Sequence, residues 1–242
     1  MAANSSETVV GRGAVPVPWI GAVLASLMAL VAVGVTVTLW PEIPEVVPSG
    51  KVGLDGEPTM TPRWLFTSAA PGTILLLVTA LTVGARLGAG FQRALRLPVF
   101  WSGRSLGRLL DLHLAVLAAF LLAVHVVLLH SESGRELPLS TDQLMALLLA
   151  VFLVALGLLV LVVRAREGHD TPAVRWWNRA RWSVGGGVAA VGVLTGAVGL
   201  LLPEPRWAAL TGVLLMPVIL LGCAVPFLGN QSWRNSSDGP SA

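Results

Sequence analysis

The chain has 242 residues, of which 55% are hydrophobic and only 12% charged, with a formal net charge of +3. A soluble domain carries roughly 25% charged residues, so this composition excludes an ordinary water-soluble enzyme or binding module. The small net charge likewise offers no basic surface for nucleic acid.

In chain order, residues 1–18 form a tail with one basic residue, Arg12. The first apolar run, Trp19 to Trp40, is too long for a signal-peptide core and ends without an A-x-A cleavage pattern, so it is read as an uncleaved anchor. Residues 41–70 make a loop rich in proline and acid, with Glu42, Glu45, Asp55 and Glu57. Asp55-Gly56 is a tight-turn signal, which predicts a small hairpin with strands at Lys51–Leu54 and Glu57–Met60. A lone hairpin is marginal in water, so it is expected to pack on the ends of the helices.

The remaining apolar runs are Pro71 to Gly88, Leu110 to Leu129, Leu144 to Val163, Val184 to Leu202 and Trp207 to Leu228. Each is long enough to cross a bilayer as a helix. The run from Leu144 has the clearest signal, its leucines, valines and phenylalanine favouring insertion by roughly 7 kcal/mol. The connectors are a basic loop at 89–109 and an Arg/Trp loop at 164–183, and a polar tail at 229–242 reads as disordered. The fold class is thus all-α: a polytopic membrane bundle of six transmembrane helices, grouped as 19–88, 110–163 and 184–228.

Arginine sets the orientation. Arg93, Arg96, Arg104 and Arg108 fill one connector, and Arg164, Arg166, Arg175, Arg179 and Arg181 another. With Arg12, Arg86 and Arg234 they gather on one side, whereas Lys51, Arg63, Arg135 and Arg206 lie on the other. Basic residues collect on the cytoplasmic side. Both termini are therefore expected inside a plasma membrane, with the 41–70 loop outside. Lys51 is the only lysine among sixteen basic residues, which suggests a GC-rich, bacterial coding sequence.

The outer loop carries a resemblance. The first apolar helix runs into Pro41, Pro44 and Pro48, then the Asp55-Gly56-Glu57-Pro58 turn, then a second helix opening near Pro71-Gly72. Over about residues 19–88 this resembles the N-terminal domain of bacterial SdpI-type membrane proteins, with Gly50 where that family usually has histidine. The resemblance implies sensing of, or immunity to, a secreted peptide toxin. Glu42, Glu45, Asp55, Gly56 and Glu57 are then the candidate partner loop, and its acids suit a cationic peptide.

His125 lies within the hydrocarbon depth of the third span, where an ionisable group is a functional candidate. It reads as a neutral hydrogen-bonding residue between helices, or as part of a ligand or proton path. No other span offers a histidine to complete a bis-imidazole haem site, and His113 and His130 read as interfacial. Asp111 is expected to enjoy the dipole of a helix starting near Leu110 and to pair with Arg86. Gly84-x-x-x-Gly88 and Gly192-x-x-x-Gly196 mark close helix packing, with a homodimer face as one place for it.

Arg175, Trp176, Trp177, Arg179, Arg181 and Trp182 alternate cation with indole, which suits a short in-plane helix on an anionic inner leaflet. H-E-x-x-H, G-x-S-x-G and nucleotide-loop motifs are missing from the sequence. A non-enzymatic protein without cofactor or metal is therefore expected. Its rivals are a small transporter or channel subunit, using His125 with Thr79, Thr82 and Thr195, and a scaffold subunit of a membrane complex.

Overall fold

The computed structural model describes residues 17–52, 56–95, 103–163, 172–202, 204 and 206–228. Of these, 84% are helical. Helix α1 spans Trp19–Leu39 and passes through a 3-10 turn, Trp40–Glu42, into strands β1, Val46–Val52, and β2, Pro58–Pro62. Four long helices follow: α2 Arg63–Leu95, α3 Gly103–Glu132, α4 Thr141–Val162 and α5 Pro172–Leu201. The last apolar run is broken into α6 Arg206–Thr211, a 3-10 turn Gly212–Leu214, and α7 Leu215–Leu228.

Among the described residues five helices, α1 to α5, are long and apolar enough to cross a membrane. Their outer faces carry large apolar side chains, including Val162 at 72% and Leu201 at 81% exposure. A soluble monomer rarely exposes contiguous apolar surface on that scale; a multi-pass membrane protein does.

The sixth expected helix is not one continuous rod. Pro217 has no N–H to give the Val213 carbonyl four residues back. Thr211 directs its hydroxyl to the Ala208 carbonyl, and Gly212 follows. With the α-helical ladder interrupted, the chain tightens into 3-10 geometry there.

The helices run alternately up and down in two groups. In the first, α1 and α3 are parallel neighbours, since Gly21 meets Asp111 at one end and Thr36 meets His125 at the other. The small side chains Ala22, Ala25 and Ala29 of α1 pack on Leu114 and Ala118 of α3 and on Ile74 of α2. The second group is α4, α5 and α7, and α3 against α4 joins the two.

The turn from α3 to α4 is built from local rules. Gly134, at φ +70°, lets the Arg135 and Gly134 amides bond the His130 and Ser131 carbonyls in a Schellman end. Ser140 and Gln143 then form a capping box that starts α4.

Among the described residues α4 and α5 pack closely along their length. A Cβ on Gly157 would lie 2.5 Å from the Gly185 carbonyl oxygen and 2.6 Å from the Ala189 nitrogen. A Cβ on Gly192 would lie 2.9 Å from the Ala150 oxygen, and one on Gly196 3.1 Å from the Ala150 Cβ. Gly192 and Gly196 therefore lie against α4. Gly84 does not: it is exposed, and a Cβ there would meet nothing within 4 Å. Gly88 falls in a stretch of α2 whose side chains are not described.

Candidate functional site

The hairpin forms, displaced from its expected strands. β1 and β2 pair antiparallel, with Val46 opposite Pro62 and Val52 opposite Pro58, and the register shifts between Pro48 and Val52. Gly56 adopts φ +82°, the left-handed geometry the Asp-Gly signal demands, while Asp55 lies outside the described residues. Helix α2 starts at Arg63, so its first two turns occupy the end of the expected 41–70 loop. Trp64 to Ala70 contains no helix breaker, and Pro71 is carried inside the helix instead of opening it.

Three helix ends hold the hairpin. Val47, fully buried, joins Leu39 at the end of α1, Ile43 beyond it and Leu129 of α3 in one cluster, with Phe66 of α2 against it. Arg63 donates to the Trp40 carbonyl at 3.1 Å and the Ile43 carbonyl at 3.0 Å. Its guanidinium also sits 4.3 Å from the Trp40 ring centroid. Arg135, after α3, grips Glu42 with two bonds of 2.8 and 2.7 Å. Planar two-point pairing of this kind fixes geometry as well as charge.

Glu42 is therefore held by Arg135 at the surface of this end. Glu45 and Glu57 are exposed on the same end. Arg63 and Arg135 carry much of this architecture, and neither stood out in the sequence as more than an arginine on the sparsely basic side.

One turn further into the helices, buried His125 shares a 2.9 Å hydrogen bond between its Nε2 and Thr36 Oγ1 of α1. The bond ties α3 to α1. Thr36 was missed in the sequence, although it continues the small-residue face of Ala25, Ala29 and Ala32. His130 donates from Nδ1 to its own helix, at the Val126 carbonyl, 2.8 Å away.

Asp111 does not pair with Arg86, which is exposed. Helix α3 begins at Gly103, so Asp111 stands two turns inside it rather than at its N-terminus. The carboxylate instead accepts the Gly21 amide of α1 at 2.7 Å. It serves the N-terminal dipole of α1, whose own cap, Pro18, makes no side-chain bond. Gly21 is required for this approach, since a Cβ there would lie 2.6 Å from the Asp111 carbonyl oxygen.

The Arg/Trp segment is not a separate in-plane helix. It is the first part of α5, which at 30 residues is about 45 Å long, more than a hydrocarbon core needs. The six residues divide by face. Arg181 is buried and donates to the Leu161 carbonyl at 2.6 Å, Trp177 donates to the Val163 carbonyl and Trp176 to the Cys223 carbonyl, both at 3.1 Å. The last carbonyls of a helix have no partner of their own, and Arg181 and Trp177 cover such groups at the end of α4, while Trp176 ties α5 to α7. Arg175, Arg179 and Trp182 face outward instead.

Among the described residues no group of three histidine, cysteine or acidic side chains is placed to hold a metal ion. Arg12, His169, the 96–102 and 164–171 connectors and the 229–242 tail lie outside the described residues. No protein-family model, curated protein or solved structure matches this chain.

Proposed function

We propose that the chain is a non-enzymatic, six-span protein of a bacterial plasma membrane, with both termini cytoplasmic and its hairpin presented outside as a recognition element for a peptide. The sixth crossing is the broken α6–α7 segment. The observation that carries this reading is the anchoring of the hairpin to the ends of α1, α2 and α3 at once. An idle connector needs no such fixation; a surface that must keep its shape, or pass a displacement into helices, does.

Charge supports the orientation. Arg86, Arg108, Arg175, Arg179 and Arg181 sit at the end opposite the hairpin. At the hairpin end Arg63 and Arg135 are both engaged in holding the loop, which explains their presence against the positive-inside rule. The exposed carboxylates there favour a cationic ligand, in keeping with the SdpI-type resemblance of residues 19–88. A second reading has one feature in its favour. The groove between α1 and α2, about 490 Å³ and bearing the hydroxyls of Ser26, Thr79 and Thr82, could seat a partner helix, as a scaffold subunit requires.

The test separates strut from surface. Glu45→Gln, Asp55→Asn and Glu57→Gln combined leave the Glu42–Arg135 pair intact. In the native host this variant is expected to insert normally and to lose toxin protection, or binding of a cationic peptide, by about tenfold or more, since rim charges act mainly through encounter and steering. Unchanged binding and protection would remove the peptide-sensing reading.

A further inference from the structure

We infer that the outward face of the hairpin is a docking surface for a cationic amphipathic peptide helix, whose apolar stripe lies across Val46, Pro48, Met60 and Pro62. The inference rests on the recognition hairpin proposed above and names the form in which its ligand binds.

The strand register sorts the side chains. Val46 is opposite Pro62, Val47 opposite Thr61 and Pro48 opposite Met60. Side chains alternate between the two faces of a strand, so Val47 and Thr61 share the face that Val47 buries against the helix ends. Val46, Pro48, Met60 and Pro62 share the other face, and all four are exposed. A sheet with one face on a core ordinarily turns polar residues to water. Here each of these outward positions is apolar, and the polar residue, Thr61, is on the inner side. The patch runs about 7 Å along each strand, close to the pitch of one helical turn. Two apolar residues four apart on an amphipathic helix would cover it.

The edges disfavour the other way a hairpin takes a peptide, which is to add it as a strand. The Arg63 amide donates to the Glu45 carbonyl at 2.8 Å. That bond makes Val46 and Pro62 a pair whose own backbone groups point away from each other, toward the open edges, and Pro48 and Met60 repeat the arrangement two residues on. Two of the four are prolines without an N–H, so each edge of this stretch keeps one donor, Val46 or Met60. An added strand needs a regular row of donors, and proline blunts such an edge. The hairpin offers a face.

Charge selects the occupant. Glu45, Glu136 and Asp142 are exposed at this end of the bundle. The guanidiniums described there are engaged, Arg63 on the Trp40 and Ile43 carbonyls and Arg135 on Glu42. A second copy docked by the same face about a two-fold axis would bring acid toward acid. An anionic lipid surface meets the same repulsion. A peptide helix with lysine or arginine beside its apolar stripe meets the opposite.

The test uses the full chain in phosphatidylcholine nanodiscs and two labelled leucine–lysine peptides of about 18 residues and equal composition, one with leucines at helical spacing and one with strict alternation. Affinity is read by fluorescence anisotropy as the gain over empty discs. The helix-patterned peptide is expected to gain about tenfold, and the alternating peptide to gain nothing. Val46→Ser with Met60→Ser, which leaves the buried Val47 anchor in place, should remove the gain, since covering those two side chains is worth about a factor of ten.

Equal gains for the two peptides, or no gain for the helix-patterned one, overturns the inference. So does a disulfide-linked dimer of Met60→Cys in a Cys223→Ala background, which would assign the face to a second copy. A gain that falls when Glu45, Asp55 and Glu57 are neutralised, but not with the Val46 and Met60 variant, overturns face docking and leaves the recognition reading standing. A gain that neither set of substitutions moves overturns both.

Discussion

Gly157→Leu is expected to lower the stability of the purified protein by about 3 kcal/mol, the upper end of what overpacking costs. The reason is what the new side chain would strike. Its Cβ alone falls 2.5 Å from the Gly185 carbonyl oxygen and 2.6 Å from the Ala189 nitrogen, both backbone atoms of a helix that cannot rotate away. The reciprocal contact is as tight, since a Cβ on Gly185 falls 2.7 Å from the Gly157 oxygen. Either α4 and α5 separate, and lose packing from Ala146 to Leu161, or the substituted turn distorts. Thermal unfolding in detergent should move down by roughly 10 °C. Gly84→Leu is the control: with open space around its Cβ it should change stability by less than about 0.5 kcal/mol. Equal effects at the two sites would mean that the α4–α5 seam is not packed as described.

Val47→Asp is expected to release the hairpin while leaving the helices folded. Val47 is fully buried among Leu39, Ile43 and Leu129, and a carboxylate placed there costs several kcal/mol because nothing in that cluster can pair with it. A two-stranded hairpin has too little stability of its own to absorb that cost. It should therefore detach, and protease should cut between Val46 and Pro62 at least tenfold faster than in the wild type. Helical content should stay the same, since the α1–α2–α3 core below is a separate cluster. Met60→Asp, on an exposed strand residue, should cut at the wild-type rate. If peptide sensing runs through the hairpin, the Val47 variant also loses it, although Glu45, Asp55 and Glu57 are untouched.

How much of this was legible depended on whether the signal was compositional or geometric. The long helices were, because an apolar run of the right length has few alternatives once water is excluded. Their ends were not. Trp64 to Ala70 and Pro172 to Trp182 are polar or aromatic enough to resemble loops, yet both continue helices beyond the apolar stretch. The turn at Gly56 was readable from Asp55-Gly56, but β1 begins at Val46, since pairing with β2 across a register shift needs partners that local sequence does not reveal.

The site followed the same division. His125 advertised itself by being ionisable in an apolar run; its partner Thr36 did not, since a threonine in such a helix usually bonds its own backbone. Arg181 looked like its neighbours Arg175 and Arg179, and only its place against the end of α4 separates a buried cap from a surface cation. Gly192 and Gly196 announced close packing, whereas Gly157, alone in its helix, carried no pattern to read. Asp111 was misplaced because the dipole it serves belongs to α1, and no local rule links residues ninety positions apart.

The most direct test concerns which end of the molecule faces out. In a Cys223→Ala background, a single cysteine replaces either Thr59, exposed on β2, or Arg175, exposed on α5. Intact cells are then treated with a membrane-impermeant maleimide. Thr59→Cys should label in intact cells and Arg175→Cys only after lysis. Labelling of Arg175→Cys from outside, with Thr59→Cys protected until lysis, would invert the orientation and end the case for an outward-facing recognition hairpin.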